Sequence, residues 1–205
     1  MELLTAILSF TLVFIFRLFW IALDNATAVT IGNSTDSSIV KSGCNIIEND
    51  KSITLIPCDK IKPVDVITDI YPGFPTDLQA QWVVLMALAH GESTVEDTIY
   101  IDRFSHIPEL NRLGASISLN DNVAHIKGVS SLYGAEVMST DIRASASMIL
   151  GAIAAQGSTV LSRIYHIDRG YEKIEKKLNA IGSDIKRVNG WYNLLQKINI
   201  KYLYK

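Results

Sequence analysis

TDLQAQWVVLMALAH, residues 76–90, carries no Asp, Glu, Lys or Arg after Asp77. Thr76 suits an N-cap, Gln79 stands at capping-box spacing, and Gly91 stops the run. The pattern predicts a helix from about Asp77 to Ala89, and a helix apolar on nearly every side must be surrounded by protein. A second stretch of the same kind, TDIRASASMILGAIAAQ at 140–156, has Arg143 as its single charge between Ile142 and Gln156.

The two stretches head two copies of one unit. Thr76-Asp77-Leu78 pairs with Thr140-Asp141-Ile142, Ser93-Thr94-Val95 with Ser158-Thr159-Val160, and Ile99-Tyr100 with Ile164-Tyr165. Ile101-Asp102-Arg103 pairs with Ile167-Asp168-Arg169, and Leu113-Gly114 with Ile181-Gly182. The offset grows from 64 (Thr76 to Thr140) to 68 (Leu113 to Ile181), as short loop insertions make it. A third, partial copy lies upstream, where Gly43-Cys44-Asn45-Ile46 aligns with Gly114-Ala115-Ser116-Ile117 and Gly182-Ser183-Asp184-Ile185. Such a period is too long for the common solenoids and indicates a repeated α/β unit.

Each unit reads helix, strand, helix, strand. Residues 93–101 and 158–167 are rich in β-branched and aromatic residues and read as strands. The second helix is amphipathic: Tyr171, Ile174, Leu178 and Ile181 share a stripe, and Glu172, Lys173, Glu175, Lys176 and Lys177 face elsewhere. One buried helix, one surface helix and strands covered on a single face give an α/β fold with helices packed inside and sheets outside.

The flanks differ. Residues 1–23, MELLTAILSFTLVFIFRLFWIAL, are apolar apart from Glu2 and Arg17 and have the length of one membrane span. A membrane anchor through residues 3–23, a secretory signal without its basic start, and foreign sequence joined to a truncated chain all compete; the third is preferred here. Asn25-Ala26-Thr27 and Asn33-Ser34-Thr35 are glycosylation sequons that matter only in an exported chain. Residues 24–42 read as a polar linker, 43–188 as the folded domain (partial repeat 43–74, repeats 75–138 and 139–188), and 189–205 as a tail. In the tail, Trp191, Leu194, Leu195, Ile198 and Tyr202 fit one face of a peripheral helix.

The whole chain has 205 residues, 48% hydrophobic and 20% charged, with a formal net charge of −2. That composition excludes a disordered chain and a multi-span membrane protein, and the lack of a Lys/Arg block argues against nucleic acid as a partner. Cys44 and Cys58 read as thiols, a bridge between them staying open. His90, His106, His125 and His166 show no metal-ligand spacing, and nothing in the sequence requires a metal or a cofactor.

Two pairs of charged residues stand out. Asp77 and Asp141 lie at the first turn of equivalent buried helices, where free backbone N–H groups favour a carboxylate; helix initiation alone is the competing reading. Arg103 and Arg169 lie where a strand gives way to a helix, a common ligand position, and their forked donors suit phosphate or carboxylate. Salt bridges to the neighbouring Asp102 and Asp168 are the alternative.

PGFPTDLQAQ (72–81), TDIRASAS (140–147) and RIYHIDRGYE (163–172) resemble the bacterial enolpyruvyl transferases, and among them the UDP-N-acetylglucosamine 1-carboxyvinyltransferase family. The resemblance runs from about Gly43 to Arg187. It implies an inside-out α/β barrel of βαβαββ units, of which this chain would be most of one of two domains. It also implies a cytoplasmic transferase of peptidoglycan precursor synthesis, membrane anchoring being the alternative. That reaction moves the enolpyruvyl group of phosphoenolpyruvate to the 3-hydroxyl of UDP-N-acetylglucosamine and releases phosphate.

By motif, Asp77 matches the carboxylate proposed as base for that hydroxyl. Ile99 matches a backbone contact to the nucleotide-sugar, and Arg169 a contact to the phosphoenolpyruvate phosphate. Arg103, Asp141 and Arg143 match further charged residues of the interdomain cleft. The family's catalytic cysteine lies on a loop of the other domain, and neither Cys44 nor Cys58 matches it. Residues 1–42 resemble nothing in the family at this level. The expectation is a chain inactive alone and active only with a partner domain; a non-catalytic remnant that binds a partner and a 5-enolpyruvylshikimate-3-phosphate synthase-like activity are the alternatives.

Overall fold

A computed structural model of the chain describes residues 33–49, 52–56, 58–180, 182–189 and 196–201. Helix α1 (Asn33–Lys41) leads into a hairpin of β1 (Asn45–Asn49) and β2 (Ser52–Ile56). Then follow β3 (Val66–Ile67), a 3-10 turn at Thr76–Leu78 that continues into α2 (Gln79–Ala87), β4 (Glu92–Glu96) and α3 (Ile107–Arg112). The hairpin of β5 (Ser116–Asn120) and β6 (Val123–Lys127) closes this unit. Short strands β7 (Leu132–Tyr133) and β8 (Glu136–Met138) open the next, followed by α4 (Ile142–Ala154), β9 (Ala155–Gln156) and β10 (Ser158–Ser162). Helices α5 (Tyr165–Asp168) and α6 (Ile174–Asn179) and strands β11 (Asp184–Asn189) and β12 (Gln196–Lys201) complete it.

The two four-stranded sheets have one design. Their orders are β3-β4-β6-β5 and β8-β10-β12-β11, each with one parallel pair followed by antiparallel ones. The strand register corrects the sequence alignment by one residue. Ser93 and Val95 point inward from β4, and Thr159 and Leu161 point inward from β10. Val66 and Val137 sit opposite Val95 and Leu161. Ser93 therefore corresponds to Thr159, not Ser158, because a slip of one residue would turn every side chain to the opposite face. The strands also stop earlier than read: residues 97–101 are turn, and Tyr165–Asp168 is helical.

Helices α2 and α4 pack on each other inside the sheets, giving the inside-out arrangement. Every residue of α2 is buried, including Trp82, whose indole N–H donates to the Val64 carbonyl at 3.4 Å. In α4 the run Ala144–Ala152 is buried, and its small residues let neighbours approach closely. A Cβ on Gly151 would stand 3.1 Å from the Leu113 side chain. The capping box does not form: Pro75 precedes the 3-10 turn without a side-chain cap, and the Thr76 hydroxyl is turned to Asp97 instead.

Three glycines at the aligned positions share one job. Gly43, Gly114 and Gly182 have φ of 102°, 90° and 105°, the left-handed turn that ends a surface helix before a hairpin. Three residues earlier, Asn111 and Asn179 clamp the following strand. Each accepts from and donates to one residue, Ile117 at 3.1 and 2.9 Å and Ile185 at 2.8 Å both ways. Val40 occupies this place in the first copy.

Two flanking assignments change. Residues 33–41, read as part of a polar linker, form α1, the surface helix of the partial repeat, and bury Ile39. Residues 196–201, read within a helical tail, form β12, which lies between β10 and β11 with Ile198 and Ile200 buried. The sequence QKINIK alternates with period two, so only a strand turns both isoleucines to the core. Strand β3 likewise joins the sheet of the unit after it, and β12 carries the last unit past residue 188. The apolar segment 1–23, the sequon at Asn25, and Trp191, Leu194, Leu195 and Tyr202 lie outside the described residues. Among the described residues no helix is long and apolar enough to cross a membrane.

Candidate functional site

The starts of α2 and α4 lie side by side, which brings the two acidic turns together with arginines from both units. Asp77 is held at a single oxygen: its Oδ1 accepts from Arg103 at 3.1 Å and from Arg143 at 3.2 Å. Its side chain stays 59% exposed, and its Oδ2 makes no hydrogen bond among the described residues. Arg103 also donates to the Thr76 hydroxyl at 3.0 Å and lies 3.8 Å over the Tyr100 ring. It does not pair with Asp102, the alternative the sequence left open.

Asp141 behaves differently. It is a true N-cap, accepting from the backbone N–H of Arg143 at 2.8 Å and of Ala144 at 3.1 Å. Burial pushes its carboxyl up, but those two N–H groups and the Arg143 charge outweigh burial and leave it below the ordinary value. Arg143 Nε lies 3.5 Å from Asp141, so this guanidinium spans both carboxylates.

Ile99 and Arg169 sit at the margins. Ile99 is exposed on the turn after β4, with its N–H bound to Asp97 at 3.0 Å. Arg169 is exposed at the end of α5 and joins no ion pair with the cluster among the described residues. Its neighbour Gly170 lies against the first turn of α4, where an added Cβ would collide with the Ile142 side chain. Asp168 pairs with Arg187 rather than Arg169, and Arg187 also reaches Glu175 at 3.0 Å.

Sequence reading missed four residues. Asp97 is fully buried and anchors the turn that carries Ile99. Tyr171 is buried near Asp77; burial and then the Asp77 charge push its phenol up. Gln79 and His106 line a small void beneath Thr76, Arg103, Asp141 and Arg143, and the Nε2 of each has no hydrogen-bond partner among the described residues. Burial pushes the His106 imidazole down to about 4, Asp141 opposing and Arg143 adding to the shift. Gln79 and Tyr171 fall within the strings quoted above without being marked there as site residues, and Asp97 and His106 lie outside them, because their place in the site comes from neighbours distant in sequence.

Away from this cluster, an open trough of about 670 Å³ on the first sheet is lined by Thr94, Ser118, His125 and Lys127 and shares no residue with it. Cys44 and Cys58 are free thiols with their sulfurs 3.1 Å apart; burial and then Cys44 push the Cys58 thiol up to about 12. Among the described residues no group of three His, Cys, Asp or Glu is placed to hold a metal.

Residues 21–178 match the family model described as EPSP synthase (3-phosphoshikimate 1-carboxyvinyltransferase). The chain belongs to the EPSP synthase family. The match begins inside the stretch that had resembled nothing in the family, in agreement with α1 as part of a repeat. Two curated relatives are named UDP-N-acetylglucosamine 1-carboxyvinyltransferase. One, from Chlorobaculum parvum, is 53% identical over 147 residues, 72% of this chain and 35% of the relative. The other, from Hydrogenovibrio crunogenus, is 54% identical over 150 residues, 73% of this chain and 36% of the relative. The chain thus spans about a third of the length of these relatives. The enolpyruvyl transferase NikO from Streptomyces tendae superposes with a TM-score of 0.69 at 26% identity, over 83% of this chain and 43% of that one. The EPSP synthase from Acinetobacter baumannii superposes at 0.56 and 14% identity over 82% of this chain and 39% of that one, a likeness of fold alone.

Proposed function

We propose that this chain supplies one wall of an enolpyruvyl-transfer site. In that site the enolpyruvyl group of phosphoenolpyruvate moves to the 3-hydroxyl of UDP-N-acetylglucosamine, a step toward peptidoglycan in the cytoplasm. The observation that carries the reading is the state of Asp77: one carboxylate oxygen gripped by two guanidiniums from different repeats, the other without a partner among the described residues. The free oxygen accepts the hydroxyl proton as the new C–O bond forms at the enol carbon while its methylene carbon takes up a proton. Loss of a methylene proton with departure of phosphate then restores the double bond. Proton loss concerted with C–O bond formation is what lets a carboxylate serve as base toward an alcohol. Arg103, Arg143 and the exposed Arg169 offer positive charge to the carboxylate and phosphate of phosphoenolpyruvate. The backbone at Ile99 offers a polar contact to the nucleotide-sugar, and Asp141 fixes Arg143. Relatives about half identical to this chain over the third of their length that it covers bear the UDP-sugar name, whereas the EPSP synthase structure is 14% identical, which favours the sugar over shikimate 3-phosphate.

The exposed apolar residues beside the cluster, among them Tyr71, Ile99, Tyr100 and Ile101, suit a wall that a second domain closes over. Turnover on this reading needs that second domain with its catalytic cysteine, and the 205 residues alone are inactive. The test is phosphate release from phosphoenolpyruvate and UDP-N-acetylglucosamine, measured with and without the remaining two-thirds of a relative supplied as a separate polypeptide. Turnover is expected only with the supplement, and only while Asp77 is intact. A folded mixture with no turnover overturns the proposal.

A further inference from the structure

Asp97 is the most enclosed carboxylate of the site and touches no solvent. A buried carboxylate is costly unless its lone pairs are filled, and here they are filled by groups from three segments. Its Oδ1 accepts from the Thr68 hydroxyl at 2.8 Å, the Ile99 N–H at 3.0 Å and the Tyr100 N–H at 2.8 Å. Its Oδ2 accepts from the Thr76 hydroxyl at 2.6 Å. Thr76 has one proton, and Asp97 takes it, so the Thr76 oxygen faces Arg103 Nη1 purely as an acceptor, at 3.0 Å. Arg103 in turn holds Asp77 and stacks on Tyr100, whose own N–H is fixed by Asp97.

We infer that Asp97 is a positioning residue for enolpyruvyl transfer: through Thr76 and the 99–100 turn it sets Arg103, and through Arg103 it sets Asp77. The second unit shows that the fold itself does not demand this group. The strand register places the exposed Arg163, at φ 57°, where Asp97 stands in the first unit. The inference rests on the functional reading above for its kinetic consequence, but not for its structural one.

Two sets of measurements test it. Amide hydrogen exchange on the labelled chain needs no turnover. Asp97→Ala removes both acceptor oxygens and is expected to speed exchange at Ile99 and Tyr100 by about tenfold, the loss of one hydrogen bond at each. Thr76→Val leaves those amides protected. Exchange unchanged in Asp97→Ala overturns the inference whatever the enzyme does.

The second set uses the supplemented enzyme. Asp97→Asn and Thr76→Val are each expected to lower kcat/KM by about tenfold or more, as misplacement of a reacting group does. The double variant should lose no more than the worse single, and Thr76→Ser should recover most of the Thr76→Val loss. Losses that add independently and follow melting temperature would mark a purely structural role and overturn the inference. Should Asp97→Asn not fold, Thr76→Val decides alone: an unchanged kcat/KM overturns it. A parent without turnover defeats the functional reading and leaves the exchange result to judge Asp97.

Discussion

At the end of its central strand, one repeat buries a carboxylate and the other exposes a guanidinium. Asp97 gathers four donors in the first unit, whereas Arg163 stands in water in the second. The helix starts differ in the same sense. Asp141 is spent on its own helix, bonded to two backbone N–H groups, while Asp77 sits within a 3-10 turn and, among the described residues, its side chain bonds only to arginine side chains. The second unit instead draws α5 and α6 to β11 through Arg187, whose guanidinium meets Asp168 and Glu175. The hydrogen bond to Asp168 leads the causes that raise its pKa. One folding plan therefore carries two arrangements: in one repeat the polar groups join helices to strands, and in the other they gather an exposed carboxylate and its arginines at a helix start.

The most demanding test of that contrast is Asp77→Ala in the supplemented enzyme. Turnover should fall by about 10²–10⁴-fold, the range for a general base, with thermal stability nearly unchanged. A rate within a factor of two of the parent would return Asp77 to the same class as Asp141. Next in size is an acid transition. His106 is held neutral by burial, with its pKa near 4 against an ordinary 6.5. The unfolded chain binds this proton below pH 6.5 and the folded chain does not, so stability is complete above 6.5 and falls as pH drops toward 4. The loss should approach about 3 kcal/mol and disappear in His106→Gln, as read from denaturant unfolding at several pH values. An equal slope in the variant would show that the void under the two arginines is not what holds the imidazole neutral.

The asparagine clamps are common to both repeats, so they should respond alike. Asn111→Ala and Asn179→Ala should each cost about 2 kcal/mol, because each leaves a strand N–H and C=O without its partner. A cost confined to one unit would break the equivalence of the repeats. Asp141→Ala should cost about 1 kcal/mol, the loss of an N-cap, where Asp77→Ala costs much less. The smallest effect is a gain: Val40→Asn should build the missing clamp in the first copy and raise stability by up to about 1 kcal/mol. An unchanged midpoint would mean that the turn at Gly43 only resembles those at Gly114 and Gly182.

Much of this was legible in the sequence for a physical reason. A charge-free run such as 78–90 has only one stable environment, the interior, and finding it twice fixed the repeat and the placement of helices inside sheets. The positive-φ turns showed themselves as aligned glycines, because other residues adopt that backbone at a cost. Asp77, Asp141 and Arg143 could be named from motif and helix position, and they do meet. What stayed hidden depends on register and distance. The one-residue slip between β4 and β10, the strand at Ile198 and Ile200, and the helix at Ser38–Ile39 are settled by which face meets the core, and short polar-apolar runs fit more than one answer. Thr76 lies 21 residues from Asp97 and 27 from Arg103, and only the folded sheet turns the three into one chain of hydrogen bonds. Local sequence determined where each helix and turn begins and what must be buried. The tertiary structure decided which carboxylate keeps an oxygen unbonded among the described residues, since that depends on how many donors reach it from elsewhere.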